Sequence, residues 1–202
     1  MGEGTGSSGA VGSLNTVGDD ADIERVVISD TEIAVKIDEL AARVAADYAH
    51  ADSLLLVCIL KGAVMFMADF SRALGRHGRS VELEFMAVSS YGQRTTSSGV
   101  VRILKDLDRD IAGRHVLVVE DIVDSGLTLS WLLKYLASRS AATVDVVALV
   151  RKPDAVKVDV NVRYVGFDIA NEFVVGYGLD FSERYRELPY IGVLRPSVYA
   201  RA

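Results

Sequence analysis

Apolar residues recur on one helical face from residue 29 to 50, at Ile33, Ile37, Leu40, Val44 and Tyr48. Ser29 and Glu32 form the pattern of a capping box, so the spacing predicts that the helix starts there. The periodicity then changes. SLLLVCIL (53–60) is a continuous apolar run, as expected of a strand covered on both faces. LKGAVMFMADFSRAL (60–74) leads from it into an apolar helix, and VELEFMAVSS (81–90) reads as the next strand. A polar, Ser/Thr/Gly-rich loop follows, YGQRTTSSG (91–99). Beyond it come a short strand VRIL (101–104), a strand RHVLVVE (114–120), a helix LTLSWLLKYLASR (127–139) and a strand ATVDVVALV (142–150).

Strands separated by helices indicate parallel pairing through right-handed crossovers. The expected fold is therefore α/β, an open, mainly parallel twisted sheet flanked by helices. From about residue 153 the segments shorten (VRYVGFDI, EFVVGYGLD, LPYIGVL), as in a small hood over one edge of the sheet. The expected organisation is one domain over 21–202, its hood built from the N-terminal segment and from about 153–202. Residues 1–20 are Gly/Ser-rich with almost no large apolar side chains, and are expected to form a disordered tail. Gly4, Gly6 and Gly9 spell G-x-G-x-x-G there, but no strand precedes them, so a dinucleotide fingerprint fails its context.

The net charge of −6 argues against a surface built to coat nucleic acid or an anionic membrane. A single cysteine, Cys58, lies inside an apolar run and reads as a buried, inert thiol. No apolar run reaches 18 residues and no signal-peptide pattern opens the chain, so the expected location is cytoplasmic. His50, His77 and His115 show no ligand spacing for zinc. Trp131 reads as core or interface packing, and KDLDRD (105–110) as a solvated connection.

One stretch carries chemistry. VVEDIVDSGLT (118–128) runs a strand into Glu120, Asp121 and Asp124 and then a small-residue turn. In an open α/β sheet, ligands sit beyond the carboxyl ends of the strands. There, backbone N–H groups and a helix dipole converge on an anion, with hydroxyls from Ser125 and Thr128 beside them. Gly126 lets the backbone approach closely. The lysine of a nucleoside-triphosphatase loop is missing. Carboxylates beside a phosphate would repel it unless they face sugar hydroxyls or a divalent cation. A ribose 5-phosphate unit satisfies both features, with phosphate in the turn and the 2- and 3-hydroxyls on Glu120 and Asp121. The plainer alternatives are a solvated turn and, for Asp124, a helix N-cap.

This turn resembles the phosphoribosyl-pyrophosphate (PRPP) signature of type I phosphoribosyltransferases. LKGA (60–63), SSYG (89–92), RILKDLD (102–108), RKPD (151–154) and EFVVGYGLDF through RYRELPYIGVL resemble the hypoxanthine-guanine branch, over roughly residues 25–195. The resemblance implies a PRPP site of Glu120, Asp121, Asp124, Ser125, Gly126, Leu127 and Thr128. It implies pyrophosphate binding by Lys61, Gly62 and Arg186, in a turn where the family often has a cis peptide. It places Asp124 against purine N7 as candidate general base, Lys152 on the exocyclic O6, Phe173 stacked on the purine, and Val174 and Asp180 at the purine site. Mg²⁺ is implied at Glu120, Asp121 and Asp180, largely through water and PRPP. Ser90 and Tyr91 match the tip of a mobile lid that would exclude water from the sugar centre.

The reading is a magnesium-dependent transferase of purine salvage, moving phosphoribose from PRPP to hypoxanthine or guanine. Xanthine or a pyrimidine remains an alternative base, and a PRPP-sensing RNA-binding regulator an alternative class. Implied partners are PRPP, a purine base, the nucleotide and further copies of the chain as a dimer or tetramer, with no nucleic acid and no membrane.

Overall fold

The computed structural model describes residues 20–90 and 101–200. All but the last residue of the expected tail lie outside these, as do Tyr91 and the rest of the expected lid loop after Ser90. In chain order the elements are β1 (Ile23–Ile28), α1 (Asp30–Asp47), β2 (Leu55–Leu60), α2 (Val64–Arg76), β3 (Glu82–Ser90) and β4 (Val101–Lys105). Then follow β5 (His115–Val123), α3 (Leu127–Ala137), β6 (Thr143–Arg151), β7 (Tyr164–Asp168), β8 (Val174–Val175), β9 (Ile191–Leu194) and the short α4 (Pro196–Tyr199). Helix α1 starts as the sequence predicts. The Ser29 side chain accepts from the Glu32 backbone N–H, and the Glu32 carboxylate accepts from that of Ser29.

Six strands form the main sheet in the order β4-β3-β2-β5-β6-β7. The β3–β2, β2–β5, β5–β6 and β6–β7 pairings are parallel, and only β4 on β3 is antiparallel. Strand alternation sorts the apolar runs into two layers. Leu56, Cys58, Leu117, Val119, Val147 and Leu149 face α1 and α2 on one side. Leu55, Val57, Val116, Val118, Val146 and Ala148 face α3 on the other. Both faces are covered, which is why these strands show no polar alternation. Cys58 is buried among them, and burial, with the nearby carboxylates of Glu120 and Asp121, pushes its thiol up to about 12, the inert state expected.

The hood is a separate antiparallel sheet, β1-β9-β8, around Ile23, Val175, Tyr185, Leu188 and Leu194. One boundary differs from the sequence reading. The segment pattern puts VRYVGFDI in the hood, but β7 extends the main sheet beside β6, so the C-terminal part of the hood begins after Asp168. The segment is short and carries Gly166, which reads as a turn signal. That glycine is there because β6 lies close, since a Cβ on it would come 2.5 Å from the Leu149 carbonyl oxygen. Among the described residues no helix is long and apolar enough to cross a membrane.

Candidate active site

The chain leaves β2 towards β3 on one side and passes from β5 to β6 and β7 on the other, so the strand order reverses between β2 and β5. Such a switch point opens a crevice at the carboxyl ends of the two strands. Lys61 and Gly62 follow β2 there, Asp124 to Gly126 follow β5, and Lys152 follows β6. Three motifs distant in sequence meet at one edge because of strand order.

The turn after β5 lines a cleft of about 200 Å³ with Ile59, Glu120, Ile122, Val123, Asp124, Ser125, Gly126, Thr128 and Leu129. Gly126 is the first cap position of α3, at φ 77°, and no side chain caps the helix. Its backbone N–H groups at that end therefore face the cleft without a side-chain competitor. A Cβ on Gly126 would also lie 2.6 Å from the Val158 carbonyl oxygen. Ser125 O accepts from the backbone of Lys157 and Val158 at 3.0 and 3.2 Å, so the chain after β6 braces the turn. Asp124 is thus not the helix cap.

Alternation along β5 points Glu120 and Asp121, the two acids expected to meet the ribose hydroxyls, in different directions. Glu120 lines the cleft, whereas Asp121 points at the turn after β2, its Oδ1 accepting from the Ile122 N–H at 2.7 Å. Burial, reinforced by the neighbouring Asp121, pushes the Glu120 carboxyl well above the usual carboxylate range. Burial also raises Asp121, to about 6, against backbone hydrogen bonds and Arg186 that favour its charge. A cation or hydroxyl donors arriving there would favour the charged form of both acids.

The structure places Lys61 and Arg186 around a shared acid that the sequence reading missed, Glu183. Lys61 Nζ is 3.0 Å from Glu183 Oε2, and Arg186 Nη2 is 3.4 Å from the same oxygen and 2.8 Å from Asp180 Oδ1. The other Asp180 oxygen accepts from the Glu183 N–H at 2.9 Å. The Leu60–Lys61 peptide is cis. Glu183 has no fixed offset from Lys61 in the sequence, so only its nearness to Asp180 and Arg186 pointed towards it.

Buried Lys152 places Nζ 3.6 Å from Asp124 Oδ2, while the Asp124 side chain stays 56% exposed. Phe173, which apolar pattern alone would put in the core, is 43% exposed and meets Phe181 edge to face at 5.8 Å. Val174 beside it is buried and paired with Val193 in the hood sheet. The KDLDRD run is more than a solvated connection. Leu107 is buried, and Asp106 accepts from the Tyr135 hydroxyl at 2.5 Å and from Arg139 at 3.1 Å. Trp131 stacks on Tyr135 at 5.5 Å, a packing role as expected.

The two raised acids set a pH dependence. A carboxyl whose folded pKa lies above its unfolded value stabilises the fold below the unfolded pKa and loses that contribution as pH rises through the folded one. For Asp121 the loss spans the interval from the usual aspartate range to about 6, worth up to about 3 kcal/mol at 1.36 kcal/mol per unit. Ligand-free wild-type protein is therefore expected to lose stability between about pH 4 and 7, and Asp121→Asn to lose less, because an amide does not ionise while its oxygen still accepts from the Ile122 N–H. Denaturant melts of both proteins at pH 5 and pH 8 check this. A difference between them that does not move with pH would refute it.

The phosphoribosyl transferase domain model matches residues 28–182. The chain is 56% identical over 183 residues to the hypoxanthine-guanine phosphoribosyltransferase of Mycobacterium tuberculosis, covering 88% of this chain and 89% of that protein. It is 49% identical over 178 residues to the enzyme of that name from Bacillus subtilis, covering 88% and 97%. Among solved structures, the hypoxanthine phosphoribosyltransferase of Trypanosoma cruzi in complex with the product IMP superposes with a TM-score of 0.83, at 44% identity over 88% of this chain and 97% of that one.

Proposed function

The chain belongs to the phosphoribosyl transferase family, and on that footing we propose that it transfers the 5-phosphoribosyl group of PRPP to N9 of hypoxanthine or guanine, giving IMP or GMP and pyrophosphate. One observation carries the reading: an uncapped helix start and a carboxylate-lined cleft lie at the sheet's switch point, next to a buried lysine paired with an exposed aspartate. The turn amides and the hydroxyls of Ser125 and Thr128 hold the 5-phosphate, together with Gly126 and Leu127. Glu120 and Asp121 approach the ribose from opposite sides. Lys61, Gly62 and Arg186 receive pyrophosphate, exchanging the Glu183 and Asp180 carboxylates for its oxygens. Lys152 donates to O6, Phe173 stacks on the ring, and the Val174 backbone meets its edge. Asp124 takes the proton from the base as the C1–N9 bond forms and the C1–pyrophosphate bond breaks. No protein nucleophile is required, and alignment with electrostatics carries the rate.

Among the described residues no three His, Cys, Asp or Glu side chains converge as a metal cage. Glu120, Asp121 and Asp180 suit a cation held largely by PRPP oxygens and water, as Mg²⁺ prefers. When bound, Mg²⁺ would neutralise charge on the leaving pyrophosphate. Its binding is coupled to proton release from the raised acids, so affinity is expected to rise with pH. The reading includes a cytoplasmic salvage role and self-association into a dimer or tetramer, the latter supported by exposed Val64 and Met65 on α2 and Leu83 on β3.

A panel of five nucleobases with PRPP and Mg²⁺, read by product mass, tests the function. IMP and GMP should appear from hypoxanthine and guanine. Product from uracil alone, or from no base, would overturn it, and an RNA gel shift on the same preparation tests the regulatory alternative. Lys152→Gln should raise the KM for 6-oxopurines by roughly 10- to 100-fold, the range for a lost hydrogen bond to a charged group of about 1.5–3 kcal/mol, with melting temperature little changed. A lower melting temperature with unaltered base preference would make Lys152 structural.

A further inference from the structure

Tyr177 sits at φ 48° between Gly176 and Gly178, at φ 101° and 99°, where the chain folds back on itself. The fold-back is fixed from the return strand. Tyr177 N–H donates to Leu188 O at 2.8 Å, Gly178 N–H donates to Arg186 O at 2.9 Å, and the Arg186 guanidinium donates to Gly178 O at 2.7 Å. Gly178 also lies directly on the turn after β2, since a Cβ there would come 2.0 Å from the Gly62 carbonyl oxygen. The segment that carries Asp180 and Arg186 therefore rests on the segment that carries Lys61. The Lys61–Glu183 ion pair that also links them is exposed to solvent and so holds them only weakly.

The Tyr177 side chain supplies an anchor. Its ring is buried in the main core, and its hydroxyl donates to Asp69 Oδ2 at 2.5 Å. Burial and the adjacent carboxylate push its ionisation well above that of a free phenol, so it remains a donor. Asp69 belongs to α2, which begins two residues after Gly62. A cavity of about 320 Å³ lined by Asp30, Asp69, Arg72, Arg76 and Tyr177 adjoins the pair, so close packing does not hold the two groups together by itself. We propose that Tyr177 and Asp69 are a positioning pair that fixes the Asp180–Arg186 segment against the Lys61–Gly62 turn and so sets the geometry of the pyrophosphate half of the site. This rests on the transferase reading above, and neither residue is assigned contact with substrate.

Steady-state kinetics in both directions test it. Tyr177→Phe and Asp69→Ala should each raise the KM for PRPP, and for pyrophosphate in reverse, by about three- to tenfold, the range for one hydrogen bond. The KM for the purine base should not change. Asp69→Asn, which keeps an acceptor, should recover most of the loss. The double variant Tyr177→Phe/Asp69→Ala should be little worse than either single one, since both remove the same contact. Arg72→Ala, which removes the neighbouring ion pair with Asp69, controls for surface charge. PRPP and pyrophosphate constants within twofold of wild type, with only a lower melting temperature, would overturn the proposal. If wild-type protein transfers phosphoribose to no base, the transferase reading fails. The pair is then judged by hydrogen exchange across residues 176–188 of the ligand-free protein. Faster exchange in Tyr177→Phe supports it and unchanged exchange refutes it.

Discussion

Asparagine at position 124 is expected to cut turnover by roughly 10²-fold or more, the usual scale for loss of a general base, while leaving PRPP binding nearly intact. Asn matches the shape of Asp124 and still accepts a hydrogen bond, but it cannot take a proton. The structure separates the two effects. Helix α3 starts at Gly126 with no capping bond from the Asp124 side chain, so the phosphate turn does not depend on the carboxylate. The side chain points outward, more than half exposed, with Lys152 at 3.6 Å as its charged partner. Buried Lys152 loses part of that partner in the variant, so a small drop in melting temperature is expected as well. Turnover measured beside a direct titration of PRPP checks the claim. A rate within about twofold of wild type would remove Asp124 from the chemistry, and a parallel collapse of PRPP affinity would make it a binding residue.

What the sequence made legible was local. The capping box at Ser29 and the apolar stripe of α1 lie within one helix, and β2, β5 and β6 announce their burial on both faces as continuous apolar runs. The phosphate turn was readable for the same reason, since its acids, glycine and hydroxyls are neighbours in the chain. Strand β1 was not. Its two buried residues, Ile23 and Ile28, flank three exposed ones, and its partner β9 comes from the far end of the chain, so no periodicity marks it. The assignment of β7 to the hood failed similarly, because a glycine required by the approach of β6 looks like a turn.

At the site, residue types were legible and their partnerships were not. Asp124 opposite Lys152 depends on β5 and β6 being neighbours, and Glu183 on Lys61 and Tyr177 on Asp69 depend on where the segment after β8 meets β2 and α2, all tertiary outcomes. Glu120 and Asp121 show the limit most clearly. Adjacent in sequence, they read as one acidic pair, yet a strand places successive side chains on opposite faces.

Alanine at position 62 is expected to lower kcat/KM for PRPP by about 10²-fold, the scale of a misplacement near 1 Å in a reacting site. Its Cβ would lie 1.6 Å from Asp121 Oδ2 and 2.7 Å from the carboxyl carbon, distances no pair of atoms tolerates. A long side chain could swing its tip aside cheaply. Asp121 is short, and its other oxygen is held by the Ile122 N–H, so turning it breaks that bond inside a half-buried site. The alternative is that the turn itself moves, taking Lys61 with it and parting Gly62 from Gly178. Either way a group assigned to PRPP or pyrophosphate is displaced. A double-mutant cycle with Asp121→Ala tests the clash as the cause. Gly62→Ala should add little once Asp121 is truncated, because the obstructing atoms are gone. Penalties that add would place the effect of Gly62→Ala outside this contact. A Gly62→Ala enzyme within threefold of wild type would show that the contact between these residues carries no function.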